Sequence, residues 1–295
     1  MHICNICPRN CGADRTALQT GYCGETWEVR LARAALHFWE EPCISGTRGS
    51  GTVFFSGCNL GCVFCQNRDI SSGKVGKKIS LKRLTEIFFE LKAKGAHNIN
   101  LVTPDHYLPL VAEALRRAKT DGLDLPIVYN SGGYAKPETL RLLDGLIDVY
   151  MPDFKYWDDR LSQKYSHVPD YHIWACKALA EMVRQTGNPL FDHEGIMLRG
   201  VIVRHLVLPG HTEDSKNVIR YLHETYGDQI YISIMNQYTP VGSHPDMPEL
   251  DRKLTEKEYS QVVDYAISIG VENGFIQEGD TAEESFIPPF TLEGV

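Results

Sequence analysis

The sequence predicts an α/β fold of parallel βα units with a small cysteine-rich segment at the N-terminus. Two observations carry this. Six short segments rich in Val and Ile alternate with helix-periodic segments between residues 51 and 236, the pattern of a parallel sheet with right-handed helical crossovers. Eight of the nine cysteines fall in the first 65 residues, which sets that region apart. The units form either an open doubly wound sheet or a partial (β/α)6 barrel of the TIM type. In both, loops after the C-terminal ends of the strands build the site.

The elements follow in order. Residues 1–48 hold a helix-like patch near 29–39. Strands are expected at 52–56, 98–102, 126–130, 146–151, 201–207 and 230–235, because strands buried on both faces read as short apolar runs. Helices are expected at 81–94, 107–119, 137–143, 171–185 and 214–226. In the first of these, Leu81, Leu84, Phe88 and Leu91 form one stripe, with Lys82, Arg83 and Lys92 off it. After a Pro-containing loop, Thr255-Glu256-Lys257-Glu258 opens a further helix with a capping box. The expected organisation is a cysteine-rich segment (1–48), a barrel (49–275) and a tail (276–295).

Composition excludes several classes. With 43% hydrophobic and 23% charged residues the chain is an ordinary globule, not a disordered or collagenous one. No apolar run reaches the roughly 18 residues of a membrane span, so no membrane partner is expected. A net charge of −8 argues against a nucleic-acid partner. Met1-His2-Ile3-Cys4 does not read as a signal peptide, so a cytoplasmic location and reduced thiols are expected.

The chemistry is concentrated in Gly57-Cys58-Asn59-Leu60-Gly61-Cys62-Val63-Phe64-Cys65, a C-x3-C-x2-C loop directly after the first strand. Three thiolates grip three irons of a 4Fe–4S cubane, whereas a cluster held wholly by protein uses four. One iron stays open to a cofactor or substrate. Gly57 and Gly61 allow the backbone to wrap a bulky core, and Phe64 shields one face from water. The competing readings are idle buried thiols or a zinc knuckle completed by Cys43, since structural zinc takes four closed ligands.

This loop, in an alternating β/α chain, resembles that of the radical SAM superfamily. Residues 51–67 together with Val207-Leu208-Pro209-Gly210 resemble the pyruvate formate-lyase activating enzyme family, most of all an activating-enzyme-related branch. The resemblance covers residues 49 to about 275. It implies a partial (β/α)6 barrel in which Cys58, Cys62 and Cys65 hold a 4Fe–4S cluster and S-adenosylmethionine (SAM) binds the open iron. One electron then splits SAM to a 5′-deoxyadenosyl radical that abstracts a substrate hydrogen. It further implies a flavodoxin- or ferredoxin-type electron donor, and a substrate that is a glycyl-radical enzyme, a peptide or a small molecule.

Site residues carry over position by position. Asn130-Ser131 after the third strand, and Met151 and Asp153 after the fourth, match positions around the SAM carboxylate. Lys155 and Arg204 match a family lysine and a SAM-contacting arginine. Thr103 and Asp105 stand where the family has Gly-Gly-Glu, and take over contact with the SAM amino group. Asn130-Ser131 replaces Asp-Thr, and Gln237-Tyr238 replaces a histidine. No catalytic side chain is assigned.

Cys4-x2-Cys7-x3-Cys11-x11-Cys23 places four further thiols within twenty residues, the count for a Zn(Cys)4 site or a second iron–sulfur cluster. His106 and Tyr107 are candidates for a substrate pocket. Gly132-Gly133 brings backbone close to SAM, or makes a tight turn. Lys74, Lys77 and Lys78 read as a flexible basic loop, solvated or facing an electron donor. The second functional hypothesis is a metal-stabilised binding protein on a barrel scaffold without radical chemistry.

Overall fold

Alternating apolar strands and amphipathic helices assemble, in the computed structural model, into one twisted sheet flanked by helices. Residues 3–277 and 288–295 are described. The strands are β1 (Arg30–His37), β2 (Ser50–Phe55), β3 (Lys77–Lys78), β4 (Ile99–Val102), β5 (Ile127–Ser131), β6 (Val149–Pro152), β7 (Leu190–Phe191), β8 (Met197–Leu206), β9 (Tyr231–Met235) and β10 (Gly274–Ile276). The helices are α1 (Pro42–Ser45), α2 (Arg68–Ser71), α3 (Leu81–Ala93), α4 (Leu108–Thr120), α5 (Pro137–Leu140), α6 (Asp159–Ser166), α7 (Tyr171–Thr186), α8 (Thr212–Tyr226) and α9 (Glu256–Ser268).

The strand order is β10-β9-β8-β6-β5-β4-β2-β1-β3. Pairing is parallel from β2 to β10, while β1 runs antiparallel to β2 and β3 pairs antiparallel with β1. The sheet does not close, as expected of a partial barrel. Strand alternation separates two faces. Val53, Phe55, Leu101, Tyr129, Tyr150 and Val203 point into the main core with Leu84, Phe88 and Leu91 of α3. Their neighbours Val128, Val149, Met151 and Ile202 pack on the other face with Ile44. Fully burying each such side chain contributes roughly 1.5–3 kcal/mol.

The largest departure from the sequence reading is at 29–39, where β1 replaces the expected helix. The Ala-rich segment has helical propensity, but pairing with β2 buries Leu31, Ala32, Ala34 and Ala35, and tertiary pairing outweighs local preference. The C-terminal residues complete this edge. Leu292 N–H donates to Ala32 O (3.1 Å) and Ala34 N–H to Glu293 O (2.8 Å). Within the expected tail, residue 276 belongs to β10 and 278–287 lie outside the described residues. Lys77 and Lys78 form β3 rather than a flexible loop. Lys77 Nζ donates to Val295 O (2.9 Å), and Lys78 pairs with Glu28 (2.5 Å). The Thr255–Glu258 capping box forms as expected. Among the described residues no helix is long and apolar enough to cross a membrane.

Candidate functional site

The C-x3-C-x2-C loop leaves the C-terminal end of β2 and is fixed from several sides. Val63 N–H donates to Tyr165 O (2.8 Å), and Asn59 Nδ2 donates to Tyr134 O (2.8 Å). The Ser166 hydroxyl donates to Cys62 Sγ (2.9 Å). Phe64 is buried, with its ring edge-on to Tyr156 and Tyr165. All three cysteines are free thiols. Burial, reinforced by Cys62 and Cys65, pushes Cys58 up to about 12. Burial and Cys62 also raise Cys65. Thiols this desolvated ionise only beside a strong positive charge, which a metal centre supplies.

The three cysteines line a cavity of about 260 Å³ at the C-terminal ends of the strands. Thr103, Asn130, Ser131, Gly132, Asp153, Lys155 and Arg204 line the same cavity. Arg204, on β8, organises them. Its Nε donates to Asp153 Oδ1 (3.0 Å), Nη2 to Asn130 Oδ1 (2.6 Å) and Nη1 to Glu40 Oε2 (3.2 Å). Lys155 Nζ donates to Asp153 Oδ2 at 2.5 Å. Burial alone raises the Asp153 carboxyl, but Lys155 and Arg204 outweigh it and hold the group below its ordinary value. Asp153 in turn keeps the desolvated Lys155 and Arg204 charged, raising both.

Glu40 was not marked by the sequence. It lies between β1 and α1, outside every βα unit, yet accepts from Asn100 Nδ2 (2.9 Å) as well as from Arg204. Burial raises its pKa and Arg204 opposes the rise. The only available signal was a pair of acids, Glu40-Glu41, inside a cysteine-rich segment.

Four expected residues stand elsewhere. Met151 is fully buried and packs with Val128, Val149 and Ile202 instead of lining the cavity. Asp105 is buried outside the cavity and accepts from Tyr129 OH (3.1 Å). Burial pushes its carboxyl up to about 7. His106 Nε2 is 2.7 Å from Ser56 O, and Tyr107 OH donates to Glu25 Oε2 (2.9 Å). Neither lines this cavity; His106 lines a smaller space instead. Gly132 O and Asp153 O both accept from Tyr171 OH (2.8 and 2.9 Å), a tight turn on the cavity wall.

Cys4, Cys7, Cys11 and Cys23 gather around a second, smaller space that Arg15 also lines. Among the described residues no three His, Cys, Asp or Glu side chains are drawn together as on a single metal ion. A cubane does not require that, because each thiolate sits on a different iron.

Residues 52–222, more than half of the chain, match the radical SAM superfamily, and the chain belongs to that superfamily. It is therefore an enzyme of the radical SAM class, for which a 4Fe–4S cluster and SAM are implied. The chain is 29% identical over 270 residues to uncharacterized protein MJ0674 of Methanocaldococcus jannaschii, covering 89% of this chain and 74% of that protein. Streptococcus suis SuiB bound to its precursor peptide SuiA has the same fold at 16% identity and a TM-score of 0.51, over 76% of this chain. Methylornithine synthase (PylB) has it at 18% identity and a TM-score of 0.50, over 71% of this chain and 59% of its own. The chain spans less than half (47%) of that SuiB structure.

Proposed function

We propose that Cys58, Cys62 and Cys65 hold the 4Fe–4S cluster with one iron left to SAM, and that the substrate is a polypeptide segment. One observation carries this reading. Three partly buried thiols and the Asn130–Asp153–Lys155–Arg204 network line one cavity at the strand ends. Bound there, the cluster and SAM supply one-electron cleavage of a carbon–sulfur bond and hydrogen-atom abstraction from the substrate.

The chain's own groups bind, orient and exclude water. SAM brings an ammonium and a carboxylate, each costly to desolvate without partners. Asp153 answers the ammonium, and Lys155 and Arg204 answer the carboxylate. Thr103, Asn130 and Ser131 add polar contacts around them. Leu60 and Phe64 keep water from the reacting end. Met151 and Asp105 take no part in this binding.

A polypeptide substrate is supported by the exposed Phe38 and Trp39, 51% and 58% accessible. Trp39 belongs to the cavity wall. The likeness to SuiB, solved with its precursor peptide, points the same way. Either peptide modification or activation of a glycyl-radical enzyme fits this class. A flavodoxin- or ferredoxin-type donor and a cytoplasmic site of action complete the reading.

Anaerobically reconstituted protein, reduced with dithionite in the presence of SAM, is expected to release 5′-deoxyadenosine and methionine. The C58A/C62A/C65A variant is expected to release neither. Release from that variant at the wild-type rate would show that the cluster lies elsewhere. A glycine-centred EPR doublet on a candidate partner distinguishes glycyl-radical activation from peptide modification.

A further inference from the structure

The N-terminal segment has little to hold it folded. Over residues 3–28 regular structure amounts to one 3-10 turn, Arg15–Ala17, and an isolated bridge between Ile3 and Asp14. Cys23 and Pro8 are the only buried apolar residues in that stretch. So short a core does not offset the backbone entropy lost on ordering the segment. Four thiols stand in its place.

They are gathered by two backbone turns. Asn10 N–H donates to Cys7 O (3.1 Å), and Gly12 N–H returns to Cys4 O (3.2 Å). In the second turn, Gly21 N–H donates to Glu25 O (3.1 Å) and Gly24 N–H to Gly21 O (3.0 Å). Gly21 lies against two of the sulfurs: a Cβ there would stand 3.2 Å from Cys11 Sγ and 3.4 Å from Cys23 Sγ.

A cation faces the same space. Arg15 is 1% exposed and lines it with the four cysteines. Its terminal nitrogens donate to His106 O and Thr26 O, but its buried Nε has no partner. A buried donor of this kind is costly to leave without an acceptor. Four thiolates on a metal form an anionic centre, which would offset the guanidinium charge and offer a sulfur acceptor to that N–H.

The segment also reaches the cluster loop. Arg9, between Cys7 and Cys11, donates from Nε to Asn59 O (2.8 Å) and from Nη2 to Leu60 O (2.6 Å). Both carbonyls lie between Cys58 and Cys62. The Arg9 guanidinium sits 3.7 Å over the Tyr22 ring, and Tyr22 OH donates to the same Leu60 O (3.3 Å). The Cys23 carbonyl abuts Gly57, where a Cβ would come within 2.6 Å of it.

We propose that Cys4, Cys7, Cys11 and Cys23 hold a structural four-thiolate metal centre that clamps the loop carrying Cys58, Cys62 and Cys65. Zinc and an iron–sulfur cluster share this ligand chemistry. The staggered χ1 positions of cysteine allow closure on an ion, and a cubane takes its four thiolates on separate irons. The clamp, though not the metal centre, rests on the cluster assignment above.

The first experiment counts zinc, iron and sulfide in anaerobically purified C58A/C62A/C65A protein. About one zinc per chain, or about four irons with sulfide, supports the centre and identifies it. No metal, with the four thiols freely alkylated in the native protein, overturns it. Should the triple variant not fold, Cys7→Ser/Cys23→Ser in the otherwise wild-type chain gives the same answer. Loss of about one zinc or about four irons supports the centre, and unchanged metal content overturns it. Failure of the cluster assignment leaves the triple-variant count untouched, so the two outcomes are distinguishable.

The second experiment tests the clamp by hydrogen exchange across residues 57–65. Cys7→Ser/Cys23→Ser, which loses the metal, and Arg9→Ala, which keeps it, are each expected to speed exchange there by about tenfold or more. Wild-type exchange in both variants overturns the clamp.

Discussion

Asp153 and Arg204 meet across the open end of the sheet. Arg204 Nε and Nη2 both lie 3.0 Å from Asp153 Oδ1, and the two residues pair as an isolated parallel bridge beyond β6. Both are largely buried, so the charges depend on each other. Lys155 takes the second Asp153 oxygen, and Glu40 and Asn130 take the rest of the guanidinium. These mutual bonds hold the charged side chains in fixed places at the cavity, which limits the side-chain freedom lost when a charged group binds there.

Arg204→Ala therefore tests binding and stability together. Breaking a buried pair leaves an uncompensated charge and costs about 3–5 kcal/mol of stability. SAM affinity, by calorimetry on cluster-loaded protein, is expected to fall by about one to two orders of magnitude. Arg204→Lys keeps the charge but loses the planar fork, and is expected to recover stability more than affinity. Wild-type affinity in Arg204→Ala would remove this residue from the SAM site.

Asp105 sets a pH dependence whose sign follows from its burial. Its carboxyl moves from 3.8 to about 7 in the folded chain. Between these values the folded state keeps a proton that the unfolded state has released. The stability it contributes is thus complete below about pH 4, declines as pH rises to about 7, and is level above. Asp105→Asn is neutral throughout and still accepts from Tyr129. Relative to wild type, its unfolding free energy is expected to gain on the order of 4 kcal/mol between pH 4 and pH 8. Denaturant titrations at the two pH values measure that difference, and an unchanged difference would show that Asp105 titrates normally.

The parallel strands were legible because burial on both faces makes each an apolar run, as in Ile127-Val128-Tyr129. What the runs concealed was depth along the strand. Met151 and Asp153 are two residues apart and share a face, yet Met151 joins an apolar layer and Asp153, just past the end of β6, joins the cavity wall. The cysteine loop was legible because its chemistry is local in sequence. Glu40 was not, because its meaning lies in Arg204, 164 residues away. The strand β1 was hidden by its alanines, and α6 by its polarity: in Asp159–Ser166 the residues fully buried are Ser162, Tyr165 and Ser166, too few apolar positions to mark a helical stripe.

Gly57 is where the cysteine-rich segment, the first parallel strand and the cluster loop touch. Its φ is +82°, and an added Cβ would lie 2.5 Å from Glu25 Cγ, 2.6 Å from Cys23 O and 3.1 Å from His106 Nε2. The left-handed backbone alone costs a non-glycine residue about 1–2 kcal/mol. Overpacking adds about 1–3 kcal/mol, and the Cys23 carbonyl, as backbone, cannot swing away as a flexible side chain does. Gly145 separates these terms: its φ is +73°, with nothing within 4 Å of the added Cβ. Gly145→Ala is therefore expected to lower stability by the backbone cost alone and to load iron at the wild-type level. Gly57→Ala is expected to lower stability further and to bind less iron after reconstitution, because the loop must move off Cys23 and carries Cys58 with it. Equal iron content in the two variants would mean that the approach of Cys23 to Gly57 has no bearing on how the cluster loop is held.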